Sequence, residues 1–74
     1  MDTTLRIGII GGGQMGTALV KGILHAGVAD ASEITVSDVI ASARERLHAE
    51  SGVRTTNDNT EAAKNADVVV IALK

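Results

Sequence analysis

Residues Leu5-Arg6-Ile7-Gly8-Ile9-Ile10 run straight into Gly11-Gly12-Gly13, and Gln14-Met15-Gly16 then open a segment with helical apolar spacing. Few arrangements satisfy that order. An apolar, β-branched run ahead of a glycine turn reads as a buried parallel strand. Three residues without side chains make a tight corner, and Gly11, Gly13 and Gly16 fit the spacing GxGxxG. Strand, corner and helix start together form a cradle for a pyrophosphate, because unpaired backbone N–H groups and the positive end of the helix dipole converge there. In such a cradle Gly11 permits the turn, Gly13 lets the backbone approach the phosphates, and Gly16 lets helix and strand pack closely.

The rest of the chain repeats the strand-then-helix theme. From Gln14 to about Ala26 the apolar positions Met15, Leu19 and Ile23 recur every four residues, with Val20 and Leu24 widening the stripe and Gly27 placed to stop the helix. Glu33 to Asp38 reads as a second strand, reached through a short polar loop. Ser42 and Glu45 fit a capping box for a helix over about Ala43 to Ser51, which Gly52 would end. Val53 to Thr56 is a brief third strand, Asn59 or Thr60 can cap a short helix through Asn65, and Asp67 to Leu73 has the look of a fully buried fourth strand. The order βαβαβαβ requires a parallel sheet with right-handed crossovers. The expected architecture is therefore α/β: a partial, three-layer, Rossmann-type doubly wound sheet with strand order 3-2-1-4, in one domain over residues 1–74. The fourth strand becomes an edge rich in valine, and its finish at Lys74 predicts the front portion of a longer protein.

Composition narrows the function. The net charge of −2 and the lack of Phe, Tyr and Trp give neither a basic field for a phosphate backbone nor a platform for stacking bases, so nucleic acid is not an expected partner. Without aromatic rings the core must be thin and built from aliphatic side chains and Met. The absence of cysteine removes disulfides, thiolate catalysis and thiolate zinc sites. The longest apolar run is too short to span a bilayer and the N-terminus lacks the charge pattern of a signal peptide, so a cytoplasmic protein without membrane contact is expected.

Asp38 follows Gly16 by 22 residues and ends the second predicted strand. There its carboxylate could accept ribose hydroxyls, which favours NAD(H), or could serve as a turn or cap residue. Beside a 2′-phosphate it would cost from about 1 kcal/mol in water-like surroundings to about 4 kcal/mol nearer the protein. Against this, Ser37 can donate a hydroxyl, and Arg44 or Arg46 could reach the phosphate. Met15 reads as core, although its backbone N–H would lie close to a phosphate. His25 and His48 suit solvated helix ends. No general base with an orienting partner, no nucleophile pair and no metal-ligand cluster stands out, so no catalytic residue and no metal are expected.

The stretch Ile9-Ile10-Gly11-Gly12-Gly13-Gln14-Met15-Gly16, followed by Ala18-Leu19-Val20-Lys21-Gly22-Ile23-Leu24, resembles the start of pyrroline-5-carboxylate reductases. Val36-Ser37-Asp38, Gly52-Val53, Thr56-Asn57-Asp58-Asn59 and Ala66-Asp67-Val68-Val69-Val70-Ile71-Ala72-Leu73-Lys74 are similar to segments of the same family. The resemblance covers nearly all of the chain, but only the front quarter or so of a typical member. It implies NAD(P)H-dependent reduction of 1-pyrroline-5-carboxylate to proline, with NADP(H) as the family cofactor. It also implies positions: Ile10, Gly11, Gly12, Gly13, Gln14 and Met15 at the pyrophosphate, Ser37 and Asp38 at the adenosine ribose or its phosphate, and Asn59 on the adenosine side. Ala72, Leu73 and Lys74 would line the nicotinamide half. In that family a C-terminal helical domain, absent from these residues, holds the small-molecule substrate and makes the homo-oligomer, so the 74 residues alone are expected to be inactive. Two other readings share the same corner: another 6-phosphogluconate or β-hydroxyacid-type dehydrogenase, and a non-catalytic dinucleotide-sensing module.

Overall fold

In the computed structural model, which describes residues 5–72, four strands alternate with three helices. They are β1 (Ile7–Ile10), α1 (Gln14–Ala26), β2 (Ile34–Ser37), α2 (Ala41–Ser51), β3 (Arg54–Thr56), α3 (Asn59–Ala63) and β4 (Val68–Ile71). All pairings are parallel and the order is β3-β2-β1-β4. The expected strand order and layer arrangement are therefore found. Ile7 pairs with Ile34 and Val68, and Ile9 with Val36 and Val70, so one face of the sheet carries a continuous aliphatic row. Of that row, Ile7, Ile9, Ile34, Val36 and Val70 pack with Val20 of α1 and Leu47 of α2 as the centre of the core. The opposite face carries Gly8, and α3 lies directly on it: a Cβ at Gly8 would run into the Ala62 carbonyl.

Local chemistry explains where the elements depart from the sequence expectation. The first strand starts at Ile7 rather than Leu5 because Asp67 turns back on Arg6. The Asp67 carboxylate accepts the Arg6 amide at 2.9 Å, and the Asp67 amide donates to the Arg6 carbonyl at 2.8 Å. Asp67 thereby lies ahead of β4 instead of inside it. Glu33, expected to open the second strand, closes a 3₁₀ turn over Ala31–Glu33. The capping box of Ser42 and Glu45 does not form; α2 begins earlier, at Ala41, with Ile40 as its cap and no side-chain cap bond. Asp38 accounts for this, since its carboxylate takes the Ile40 amide at 2.8 Å and closes the corner upstream of Ser42. Likewise α3 is capped by Asp58, not by Asn59 or Thr60: Asp58 Oδ1 accepts the Thr60 amide at 2.8 Å. Gly27 and Gly52 end α1 and α2 in the left-handed conformation, as their positions suggest.

Two expectations about burial are corrected. Met15 is 57% exposed, because the closest approach of α1 to the sheet is at Gly16 and Val20 and the next residue round the helix points away. The fourth strand is not fully buried. Val68, Val69 and Ile71 are exposed, Ile71 by 67%, and only Val70 packs against the core. The reason is position: β4 is an edge, and the five-residue α3 packs mainly over β1 and β2.

Candidate functional site

The corner between β1 and α1 is held from two sides. Gly11 adopts φ 110°, a conformation that side chains oppose, and its amide donates to the Ser37 carbonyl at 2.9 Å. The Gly12 amide donates to Asp38 Oδ2 at 2.8 Å, while Thr17 Oγ1 and Arg46 Nη2 each approach the Gly12 carbonyl at 3.5 Å. Gly16 is pressed against the corner, and a Cβ there would strike the Gly11 carbonyl oxygen. Gly13 is the opposite case. A Cβ built on it meets nothing within 4 Å, and it caps α1 without any side chain. The first-turn amides that follow, those of Gln14, Met15 and Gly16, have no acceptor inside their own helix. An open floor of backbone facing unpaired donors at the positive end of a 13-residue helix suits a diphosphate, so these residues fit a dinucleotide.

The remaining candidates gather at the same carboxyl rim of the sheet. Ser37 ends β2, is buried, and donates its hydroxyl to Asn59 Oδ1 at 2.6 Å, which ties the first residue of α3 to the strand. Asp38, the next residue, has one carboxylate oxygen on the Gly12 amide and the other on the Ile40 amide. Ala72 follows β4 and its amide donates to the Ile10 carbonyl at 2.8 Å, so the ends of β1 and β4 lie side by side. Ile10, Gly11, Gly12, Gly13, Gln14, Met15, Gly16, Ser37, Asp38, Asn59 and Ala72 thus converge on one rim, while Leu73 and Lys74 lie outside the described residues.

Both arginines of α2 also turn toward the rim. Arg44 Nη1 donates to the Asp38 carbonyl at 2.8 Å, and Arg46 reaches the Gly12 carbonyl as above. A groove of about 320 Å³ lies between α1 and α2, lined by Gln14, Thr17, Ala18, Lys21 and Arg46. Sequence reasoning missed the lip beside it. Val39 is 85% exposed and Ile40 is also exposed, leaving an apolar step next to Asp38 that the pair of aliphatic residues after a strand-ending Asp could have signalled. His25 is exposed in the last turn of α1, and His48 Nδ1 lies 3.0 Å from the Val53 carbonyl, tying the end of α2 to the next segment. Among the described residues no three acidic or histidine side chains come together as a metal site, and no helix is long and apolar enough to cross a membrane.

A parallel sheet of order 3-2-1-4, with a glycine corner feeding a helix at the carboxyl end of its first strand, defines the NAD(P)-binding Rossmann-type class of oxidoreductase domains. Residues 6–74 match the family described as NADP oxidoreductase, coenzyme F420-dependent, and the chain belongs to that family. It is similar to the pyrroline-5-carboxylate reductase of Methanosarcina acetivorans, 36% identical over 69 residues that make up 93% of this chain and 26% of the relative. The pyrroline-5-carboxylate reductase of Vibrio alginolyticus is 41% identical over 93% of this chain and 25% of its own. Among solved structures, the pyrroline-5-carboxylate reductase of Coxiella burnetii superposes with a TM-score of 0.87 and 38% identity, covering 96% of this chain and 26% of that one. The chain spans about a quarter of the length of the relatives it matches.

Proposed function

We propose that this chain is the cofactor-binding part of an NADP(H)-dependent pyrroline-5-carboxylate reductase, an enzyme of proline biosynthesis. The observation that carries the reading is the open corner at Gly13 above the first turn of α1, in a chain whose relatives bear that enzyme's name. Gly11 to Gly16 would hold the pyrophosphate through backbone donors. The adenosine ribose would lie over the end of β2, with its purine against the apolar step of Val39 and Ile40. A 2′-phosphate there would meet the guanidinium groups of Arg44 and Arg46, whose planar forks suit a phosphate, and this supports NADP(H) over NAD(H). Ala72, with Leu73 and Lys74, would face the nicotinamide half.

Reduced nicotinamide, when bound, supplies a hydride for the ring C=N carbon of 1-pyrroline-5-carboxylate, and the nitrogen keeps a proton. These residues would supply binding and orientation only; the grip on the pyrroline carboxylate, and with it the homo-oligomer, would belong to the remaining three quarters of such an enzyme, which would work in the cytoplasm. A chimera tests this: residues 6–74 replace the matching quarter of the Methanosarcina acetivorans relative, and NADPH-dependent proline formation is assayed. Turnover is expected from the chimera and none from the 74 residues alone. A chimera that folds and binds NADPH without turnover would count against the reductase reading, and failure to bind would count against the cofactor reading.

A further inference from the structure

Asp38 has the residue type and position of a ribose acceptor, yet each of its carboxylate oxygens already accepts a backbone amide. Oδ2 accepts the Gly12 amide and Oδ1 the Ile40 amide, each at 2.8 Å. The contact is close: a Cβ on Gly12 would lie 3.1 Å from Asp38 Oδ2 and 3.0 Å from Leu47 Cδ1, so both side chains would have to shift by a few tenths of an ångström to admit it. Three successive glycines have more backbone freedom to lose than almost any other tripeptide, so a corner built from them needs external anchors to present its amides in one geometry. Those anchors are consecutive residues of one strand end, the Ser37 carbonyl on the Gly11 amide and the Asp38 carboxylate on the Gly12 amide.

We propose that Asp38 is a positioning residue, a brace that fixes the glycine corner for the pyrophosphate, and that it does not choose between NADH and NADPH. The proposal rests on reading the corner as the dinucleotide site. The Arg44 guanidinium donates to the carbonyl of the same residue, so a phosphate beside Asp38 meets positive charge as well as negative. The choice between cofactors then falls to Arg46 and its neighbours.

The test combines amide hydrogen exchange with calorimetric titration of the chain against NADPH and NADH, for the parent, Asp38→Asn and Arg46→Ala. In the parent without cofactor, the Gly12 amide is expected to exchange at least about tenfold more slowly than that of Gly13, as a charge-assisted bond requires. Asp38→Asn, which keeps one neutral acceptor oxygen for two amides, should reduce that protection and weaken both cofactors by the same factor, about tenfold, leaving their affinity ratio within about twofold of the parent. Arg46→Ala should weaken NADPH at least about tenfold more than NADH. Equal exchange at Gly12 and Gly13 in the parent would overturn the brace. So would an Asp38→Asn variant that loses NADH selectively, or one that keeps both affinities and loses only stability. If the parent binds neither dinucleotide, the functional reading fails, while the exchange rates still decide whether the brace exists.

Discussion

Gly13 and Gly16 stand three residues apart on either side of one helix start and have opposite surroundings. Space is open above Gly13, whereas Gly16 touches the Gly11 carbonyl. Gly13→Ala should therefore leave stability within about 0.5 kcal/mol of the parent while filling the floor on which a phosphate would rest. Gly16→Ala should cost about 1–3 kcal/mol by overpacking, whatever the ligand. Chemical denaturation and titration with NADPH, run on both variants, separate the two effects. Equal loss of stability in both would mean that the corner is packed differently. The close packing at Gly16 was legible in the sequence because backbone sterics act locally. The brace on Gly12 was not, since it depends on a carboxylate 26 residues away.

At the scale of the element, caps decide where helices begin, and side chains two residues apart compete for the same amides. Asp58 wins at α3 because its carboxylate spans the distance to the Thr60 amide, leaving Asn59 to meet Ser37 instead. Asp58→Ala is expected to cost about 1 kcal/mol, and Ser42→Ala close to nothing, since Ser42 makes no cap bond; thermal melts of the two variants check the order. A larger loss for Ser42→Ala would restore the capping box. The helix α2 buries only Leu47 among its 11 residues, so Leu47→Ala should cost about 2–5 kcal/mol and leave the β2–α2 corner loose. Strand existence and helix stops were readable from β-branched runs and from Gly27 and Gly52. The choice among neighbouring Ser, Asp, Asn and Thr caps was not, because each has the chemistry to cap and only the path of the chain selects one.

The whole molecule has two unlike edges. At β3 the edge is Arg54-Thr55-Thr56, short and polar, a sequence that discourages further pairing. At β4 it is Val68-Val69-Val70-Ile71, with apolar side chains exposed on both faces. The 74-residue chain is accordingly expected to self-associate through β4, and Val69→Lys with Ile71→Lys to shift it toward monomer in sedimentation velocity. Unchanged association in that double variant would place the contact elsewhere. The strand order was legible in the alternation of elements, since right-handed crossovers leave few topologies. The exposure of β4 was hidden behind its composition: an unbroken valine run reads as interior, whereas the edge position and the shortness of α3 leave Val68, Val69 and Ile71 partly open.

Cofactor binding by this chain requires the dinucleotide to sit at the corner between β1 and α1. Backbone amide shifts of the isotope-labelled chain, followed during titration with NADPH, test this residue by residue. The expected result is saturable movement confined to Gly11 to Gly16, Asp38 to Arg46 and Ala72, with quiet amides in the polar groove of about 550 Å³ lined by Arg6, Glu33, Arg54 and Lys64. Movement centred on that groove, or none at Gly13 to Gly16 under saturating cofactor, would contradict it.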